Sequence, residues 1–235
     1  MLETFKPFRL ILKTTTPVIL ADYSPPLDAL LYEALEQRQP NADSEHLLAQ
    51  LKEILAFNCE LGVFHASSLK FGITPEQGLV AMTYTRTDRF TAEKVSSAKF
   101  LPNARRGKYK RIQLEGGPTK RRMKQRPAYA APYFVFEGFG HIDSVVELLE
   151  QAHIGIGYDA QNSGGGQFAE ITVISLETDI ILVDKGEPNR VLPADAPTSS
   201  GIKVTTRLIP PYYLGTKVDA LAPEKVRYAL LSKLV

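Results

Sequence analysis

Only one cysteine, Cys59, occurs among the 235 residues, which excludes an internal disulfide framework and fits a reducing cytoplasm. It lies in the apolar run Ile54–Phe64, so a buried structural thiol is expected. No stretch approaches about 18 uninterrupted apolar residues, so no membrane span is expected. The N-terminus lacks the charged, apolar and cleavage regions of a signal peptide; a soluble, cytoplasmic chain is the expectation. Histidine is scarce: His46, His65, His141 and His153 show no HExxH or HxH spacing, and Cys59 has no sequence partner. A zinc site is therefore not expected. Neither a Ser-His-Asp order nor a carboxylate pair can be argued from spacing, so no catalytic residue, metal or cofactor is assigned, and the chain does not read as an enzyme. There is no internal repeat.

Carboxylates are missing where cations are densest. Between Lys99 and Arg126 stand eleven Lys and Arg residues and a single acid, Glu115, a local charge of +10 in a chain of net +2. The rest therefore sums to −8. A mildly acidic body with one cationic segment is the charge pattern of a polyanion binder, because neutralising phosphates rewards clustered charge. Solubility alone would not require that charge in one place. The cations form two groups, Arg105, Arg106, Lys108, Lys110 and Arg111, then Lys120, Arg121, Arg122, Lys124 and Arg126. Phe100, Tyr109 and Tyr129 are interleaved and can either stack on splayed bases or pack the segment itself.

Periodicity places elements around this segment. Phe8–Lys13 and Pro17–Leu20 read as β-rich. Leu27, Leu30, Leu31, Ala34 and Leu35 follow helical spacing until Pro40, and Leu47, Leu48, Leu51, Ile54 and Leu55 predict a second helix over Ser44–Phe57, capped by Ser44. Val95–Leu101 and Lys108–Leu114 read as a projecting ribbon turned at Asn103–Gly107. Aromatic strand Pro132–Gly140 comes next, then a helix over Val145–Ala152 capped by Asp143 or Ser144, a glycine-rich loop, and strand Ala169–Leu176. Strand, helix, loop, strand is half of a ferredoxin-like βαββαβ unit, with the first strand and the Leu27–Gln37 helix beginning the other half. Ile202–Ile209 reads as a strand, and a closing helix is expected after Pro223. The fold class predicted is α+β, with residues 1–85 and 131–235 as core and 86–130 as an insertion.

Two further elements are candidates for chemistry. The loop Gly155-Ile-Gly157-Tyr-Asp-Ala-Gln-Asn-Ser-Gly164-Gly165-Gly166 lacks Cβ atoms where backbone N–H groups would approach phosphates. It can equally be a flexible connection. It comes after a helix and has no Gly-Lys-Ser/Thr ending, which argues against ATP or dinucleotide binding. In Phe64-His-Ala-Ser-Ser-Leu69, His65 lies beside hydroxyls and Lys70; it reads as a structural or RNA-contacting residue before a general base for RNA cleavage.

The pieces together resemble the RAMP superfamily of CRISPR proteins. Leu27-Asp-Ala-Leu-Leu-Tyr-Glu-Ala-Leu35 after a Pro-containing turn, Phe64-His-Ala-Ser-Ser-Leu69, the glycine loop and Leu208-Ile-Pro-Pro-Tyr-Tyr213 are similar to the smaller RAMP subunit of type IV effector complexes. The resemblance implies a ferredoxin-like (RRM-like) core, a non-catalytic role in capping the 5′ handle of a guide RNA (crRNA), and contacts to the backbone and large subunits that bring it to target DNA. It implies that residues 86–130 form a basic β-hairpin thumb. It further implies that His65, Ser67, Ser68 and Lys70 lie against the handle and that Gly155, Gly157, Gly164, Gly165 and Gly166 offer backbone contacts to RNA. The rival readings are a metal-independent endoribonuclease processing repeat RNA, with His65 or His141 as base, and a general basic RNA- or DNA-binding protein.

Neutralising Arg105, Arg106, Lys108, Lys110 and Arg111 together should weaken RNA binding. It should also flatten the plot of log affinity against log salt by about 3 to 4 units if all five meet single-strand phosphates. An unchanged slope in a fluorescence-anisotropy salt titration would remove this segment from the interface.

Overall fold

The computed structural model describes residues 4–88, 122–152, 154–158, 160, 164–177 and 181–231. In chain order its elements are β1 (Lys6–Thr14), β2 (Val18–Ile19), α1 (Leu27–Arg38), α2 (Ser44–Ile54), β3 (Phe57–Asn58), β4 (Val63–Phe64), β5 (Lys70–Ile73) and β6 (Val80–Asp88). Then come β7 (Arg122–Ala130), β8 (Tyr133–Gly140), α3 (Ile142–Gln151), β9 (Phe168–Ser175), β10 (Val183–Asp184), β11 (Glu187–Pro188), β12 (Leu192–Pro193), β13 (Ile202–Thr206), β14 (Val218–Ala222) and β15 (Tyr228–Leu230). The protein is α+β. It divides into two compact units, residues 1–81 with 128–235, and residues 82–127. The expected ribbon strands Val95–Leu101 and Lys108–Leu114 lie outside the described residues.

The first unit is built on a five-stranded sheet of order β15-β5-β8-β1-β9. Within it β1 is antiparallel to β8 on one side (Leu10 opposite Phe136) and to β9 on the other (Leu10 opposite Val173). β5 runs antiparallel to β8, and β15 runs parallel to β5. Strand alternation decides the two faces. Phe8, Leu10, Leu12, Phe71, Phe134 and Phe136 point to one side and are fully buried against Leu27, Leu31, Leu47, Leu51, Val145 and Leu149 of the three helices. Arg9, Ile11, Lys13, Val135 and Glu137 take the other side. There Ile11 and Val135 are covered by Leu231. Leu231 fits because Gly72 has no side chain: a Cβ there would meet the leucine's Cδ1 at 2.8 Å.

Several local expectations are corrected by the structure. The N-cap of α2 is Asp43, not Ser44; its side chain accepts from the His46 backbone N–H at 2.7 Å. α3 begins at Ile142 after His141, with no side-chain cap hydrogen bond, so neither Asp143 nor Ser144 caps it. After Pro223 the chain forms β15 rather than opening a helix, because pairing along β5 satisfies its backbone: the Leu231 N–H donates to the Ile73 carbonyl at 2.9 Å. Cys59 is exposed; it sits in the turn after β3, which leaves the core inside the apolar stretch that made burial the expectation.

A buried polar group joins these layers. The Arg190 guanidinium, 1% exposed, donates to the carbonyls of Phe64 (2.7 Å) and Leu208 (2.9 Å), to Asp28 Oδ2 (3.3 Å) and to the Tyr212 hydroxyl (3.0 Å). Tyr212 in turn donates to Asp28 Oδ2 at 2.8 Å. Burial alone would lower the pKa of Arg190; the Asp28 carboxylate and Tyr212 outweigh it and hold it above the ordinary value.

Removing one partner leaves a charge uncompensated in the interior. Arg190→Ala and Asp28→Ala should each cost about 3–5 kcal/mol, and the double variant clearly less than their sum. Urea denaturation of the four proteins measures this coupling; additive losses would show that the pair does not act as one.

Candidate nucleic-acid interface

Of the cations read from the sequence, Arg105, Arg106, Lys108, Lys110, Arg111, Lys120 and Arg121 lie outside the described residues, as do Phe100 and Tyr109. Arg122 opens β7. Lys124 is exposed and Arg126 half-buried on the same strand, which lies next to β6 in a sheet of order β2-β7-β6. Met123 is 67% exposed, and so are its neighbours Lys124 and Gln125 on the same strand. At its far end, Tyr129 pairs with Val18 and its ring leans on Phe71 at 5.7 Å, so this aromatic is a packing residue.

The segment His65–Lys70 runs into β5 beside the end of β8. The His65 N–H donates to the Ala56 carbonyl (2.8 Å), its own carbonyl accepts from the Phe139 N–H (3.0 Å), and its half-buried ring lies 5.9 Å from that of Phe139. Ser67 and Ser68 are fully buried. Ser67 Oγ accepts the Glu137 N–H at 2.8 Å and donates to the Ser68 carbonyl at 3.2 Å. Ser68 is held through its backbone, by the Asn189 carbonyl and by Arg227. Their hydroxyls face inward, so His65 is the member of this group that presents a side chain toward solvent. Arg227 also donates to Asn189 Oδ1 at 2.9 Å, and burial lowers its guanidinium to about 10.

Lys70 has only 12% of its side chain exposed and donates to Glu137 Oε2 at 2.8 Å. Arg9 closes the other side, donating from Nε (3.2 Å) and Nη2 (2.7 Å) to Glu137 Oε1. Burial would push the Glu137 carboxyl up, but Lys70 and then Arg9 outweigh it and hold it below the usual carboxylate range. Lys70 also lines a surface hollow with Asp184, Glu187, Glu224 and Arg227, so carboxylates offset the cations on this part of the sheet. Arg9 and Glu137 were not singled out from sequence; the signal available was their alternation with Phe8, Leu10, Phe136 and Gly138 in two strands, which puts both on the face away from the helices.

The glycine loop is fixed by the chain that leaves β1. Gly166 N–H donates to the Pro17 carbonyl (2.8 Å), Tyr158 N–H to Ile19 (2.7 Å) and Ile156 N–H to Gly166 (3.0 Å). Thr16 Oγ1 donates to the Gly164 carbonyl (2.9 Å) and accepts from the Gln167 N–H (2.8 Å). Gly166 has φ +63° and Gly157 φ +105°; a Cβ at the first would collide with the Ile156 carbonyl and at the second would lie 2.6 Å from that of Ile19. A Cβ on Gly155 would collide with the Gly165 carbonyl. These glycines serve close backbone approach. Within the loop Gly164 has open space around it, and Gly165 lies between it and Gly166 in the turn.

The remaining histidines serve several ends. His46 contacts Gln50 at 3.0 Å on α2, and His153 lies outside the described residues. His141, half-buried, packs its ring edge to face on Phe5 at 4.4 Å. Among the described residues no group of three or more His, Cys, Asp or Glu is placed to hold a metal ion. No helix among them is long and apolar enough to cross a membrane. No protein-family model and no curated protein matches the sequence.

Glu137 supplies a pH signature. A carboxyl whose folded pKa lies below its unfolded value stabilises the fold above about pH 4.3 and loses that stabilisation as pH falls through the folded pKa. Glu137→Gln should therefore cost roughly 3 kcal/mol at pH 7 and narrow its deficit against wild type as pH drops below about 4. Denaturation midpoints of the two proteins from pH 7 to 3 test this; a constant deficit would contradict it.

Proposed function

We propose that this protein is the guide-RNA-binding subunit of a type IV CRISPR effector ribonucleoprotein, capping the 5′ handle of the crRNA and joining backbone and large subunits for target DNA recognition. The observation that carries the reading is charge segregation: +10 between Lys99 and Arg126 against −8 over the rest. Such an arrangement favours a polyphosphate over a small or uncharged ligand.

The ferredoxin-like RAMP core is supported by chain path. β1, α1, β5, β8, α3 and β9 follow a βαββαβ course, and their strands stand in the order β5-β8-β1-β9, all antiparallel. In this reading residues 86–130 are the basic thumb, which neutralises phosphates with its two cationic groups. His65 contacts a base of the handle, and Arg9, about a third exposed, offers a cation on the same sheet face. The glycine loop offers its backbone at Gly164 and Gly165, while Gly155, Gly157 and Gly166 keep it seated. A cytoplasmic ribonucleoprotein needs no cofactor for this role.

One observation favours a second reading, the metal-independent endoribonuclease: His65 and His141 come to the same region, since Phe139 packs on His65 and Phe5 packs on both Phe139 and His141.

Purifying the tagged protein from its native host and sequencing the accompanying nucleic acid tests the proposal. One discrete class of small RNAs sharing a repeat-derived 5′ end, together with further RAMP subunits, is expected. A heterogeneous RNA mixture without such partners would replace it with general nucleic-acid binding. Cleavage of repeat RNA in chelator, lost in His65→Ala or His141→Ala, would replace it with the nuclease.

A further inference from the structure

Strand β9 forms one edge of the five-stranded sheet. A bulge at Ala169 interrupts its pairing with β1, and from Glu170 to Ser175 the register is regular. The Leu176 N–H donates to the Pro7 carbonyl at 2.9 Å, which fixes the alternation along the strand. Thr172 and Ile174, opposite Ile11 and Arg9, turn their N–H and C=O groups to β1. Ile171 and Val173 turn theirs outward, where no backbone group among the described residues meets them. Their side chains pack on the core below the helices, so the unpaired groups belong to a firmly held strand.

Natural sheets blunt an open edge with lysine, proline, a bulge or shortness. The opposite edge takes the last course, since β15 has three residues. β9 has eight residues and neither Lys nor Pro, and its one charge, Glu170, is engaged by Lys13 at 2.7 Å. The bulge protects only the start of the strand and leaves Ile-Thr-Val-Ile, a strongly β-forming run, open. Such an edge is a template for one more strand.

The charge around the edge decides what that strand carries. Between Arg126 and Lys185 the sequence has nine Asp and Glu and no Lys or Arg. α3 packs over β9, and α1 over β8. Gln151 and Ala152 of α3 face α1 across a shallow hollow shared with Gln37 and Arg38, so the opposite flank of α3, carrying Asp143, Val146 and Glu150, overhangs the open edge. Glu147 has Arg38 at 3.7 Å. Asp143 and Glu150 are exposed and have no ion-pair partner among the described residues. These carboxylates repel a phosphate backbone. A second copy pairing through its own β9 would bring the same carboxylates toward one another. An extended protein segment bearing Lys or Arg meets neither penalty.

We propose that the β9 edge docks an extended, Lys- or Arg-bearing segment of another protein chain. That segment adds a sixth strand to the sheet, bonds to the backbone of Ile171 and Val173, and sets its cations against Asp143 and Glu150. The inference stands apart from the RNA-binding reading, since it uses none of the cationic residues between Lys99 and Arg126.

The test uses the full chain and a soluble peptide of alternating lysine and valine, in which every lysine shares one face. Amide hydrogen exchange, read residue by residue by NMR, should slow about tenfold at Ile171 and Val173 when the peptide binds. The same peptide with every backbone N–H methylated should lose binding, because it keeps its cations and lacks the donors. Asp143→Asn combined with Glu150→Gln should weaken the unmethylated peptide about fivefold. Equal binding of the methylated peptide, or protection confined to other amides, would overturn strand addition. Full affinity in the double variant, or equal binding of a glutamate–valine peptide, would overturn the choice of a basic partner. Protection of Ile171 and Val173 before any peptide is added would overturn the open edge. Sedimentation would then tell a second copy from another part of the same chain as its cover.

Discussion

The guanidinium of Arg190 is the point through which the first compact unit is tied together. It sits with almost no exposure among Phe64, Leu208, Asp28 and Tyr212. Moving such a group out of water costs several kcal/mol unless its donors are spent, so the chain has to bring acceptors to it from distant parts of the sequence. Those acceptors are the first turn of α1, the end of β4 and the segment 208–212. Anchoring β4 there also anchors the residues after it: the His65 carbonyl that receives the Phe139 N–H, and the Ser67 backbone and hydroxyl that clamp Glu137. The end of the sheet around Phe139 thus inherits its geometry from an almost fully buried ion pair.

Much of the fold was legible because its elements bury one face each. The spacing of Leu27, Leu30, Leu31, Ala34 and Leu35 could mean only a helix against a core. The alternation in Phe134–Val135–Phe136–Glu137 fits a strand with two different sides. Illegible were the features set by distant partners. Asp28 reads as a dipole-favouring acid in a first helical turn, and Arg190, in the turn-like Glu-Pro-Asn-Arg, reads as a surface charge; only the fold brings them within 3.3 Å. The residues after Pro223 have no strong local preference, and an available edge on β5 made them a strand. For Cys59 the hydrophobicity of its neighbours was a poor guide, since the turn between β3 and β4 points outward whatever flanks it.

The candidate site was legible by composition more than by contact. Glycines at 155, 157 and 166 signalled close approach, and close approach is what they provide, but to the backbone of residues 17–19, 156 and 165. A missing Cβ permits any backbone to come near, and sequence does not say whose. Ser67, Ser68 and Lys70 were placed against the handle by the resemblance alone. Here Glu137, buried on the sheet, needs counter-charges and donors, and its strand neighbours supply them. The aromatic group at Phe5, Phe139 and His141 escaped notice because its members are spread over more than 130 residues and meet only through strand register.

Affinity and selectivity can therefore be separated. Clustered cations act through released counterions, with little regard for sequence and a steep loss in salt. Contacts to base edges act at short range and carry the selectivity. A cationic segment alone would hold any polyphosphate, folded or extended, along its length. In the proposed reading the cationic segment concentrates nucleic acid, and contacts elsewhere in the chain select among strands.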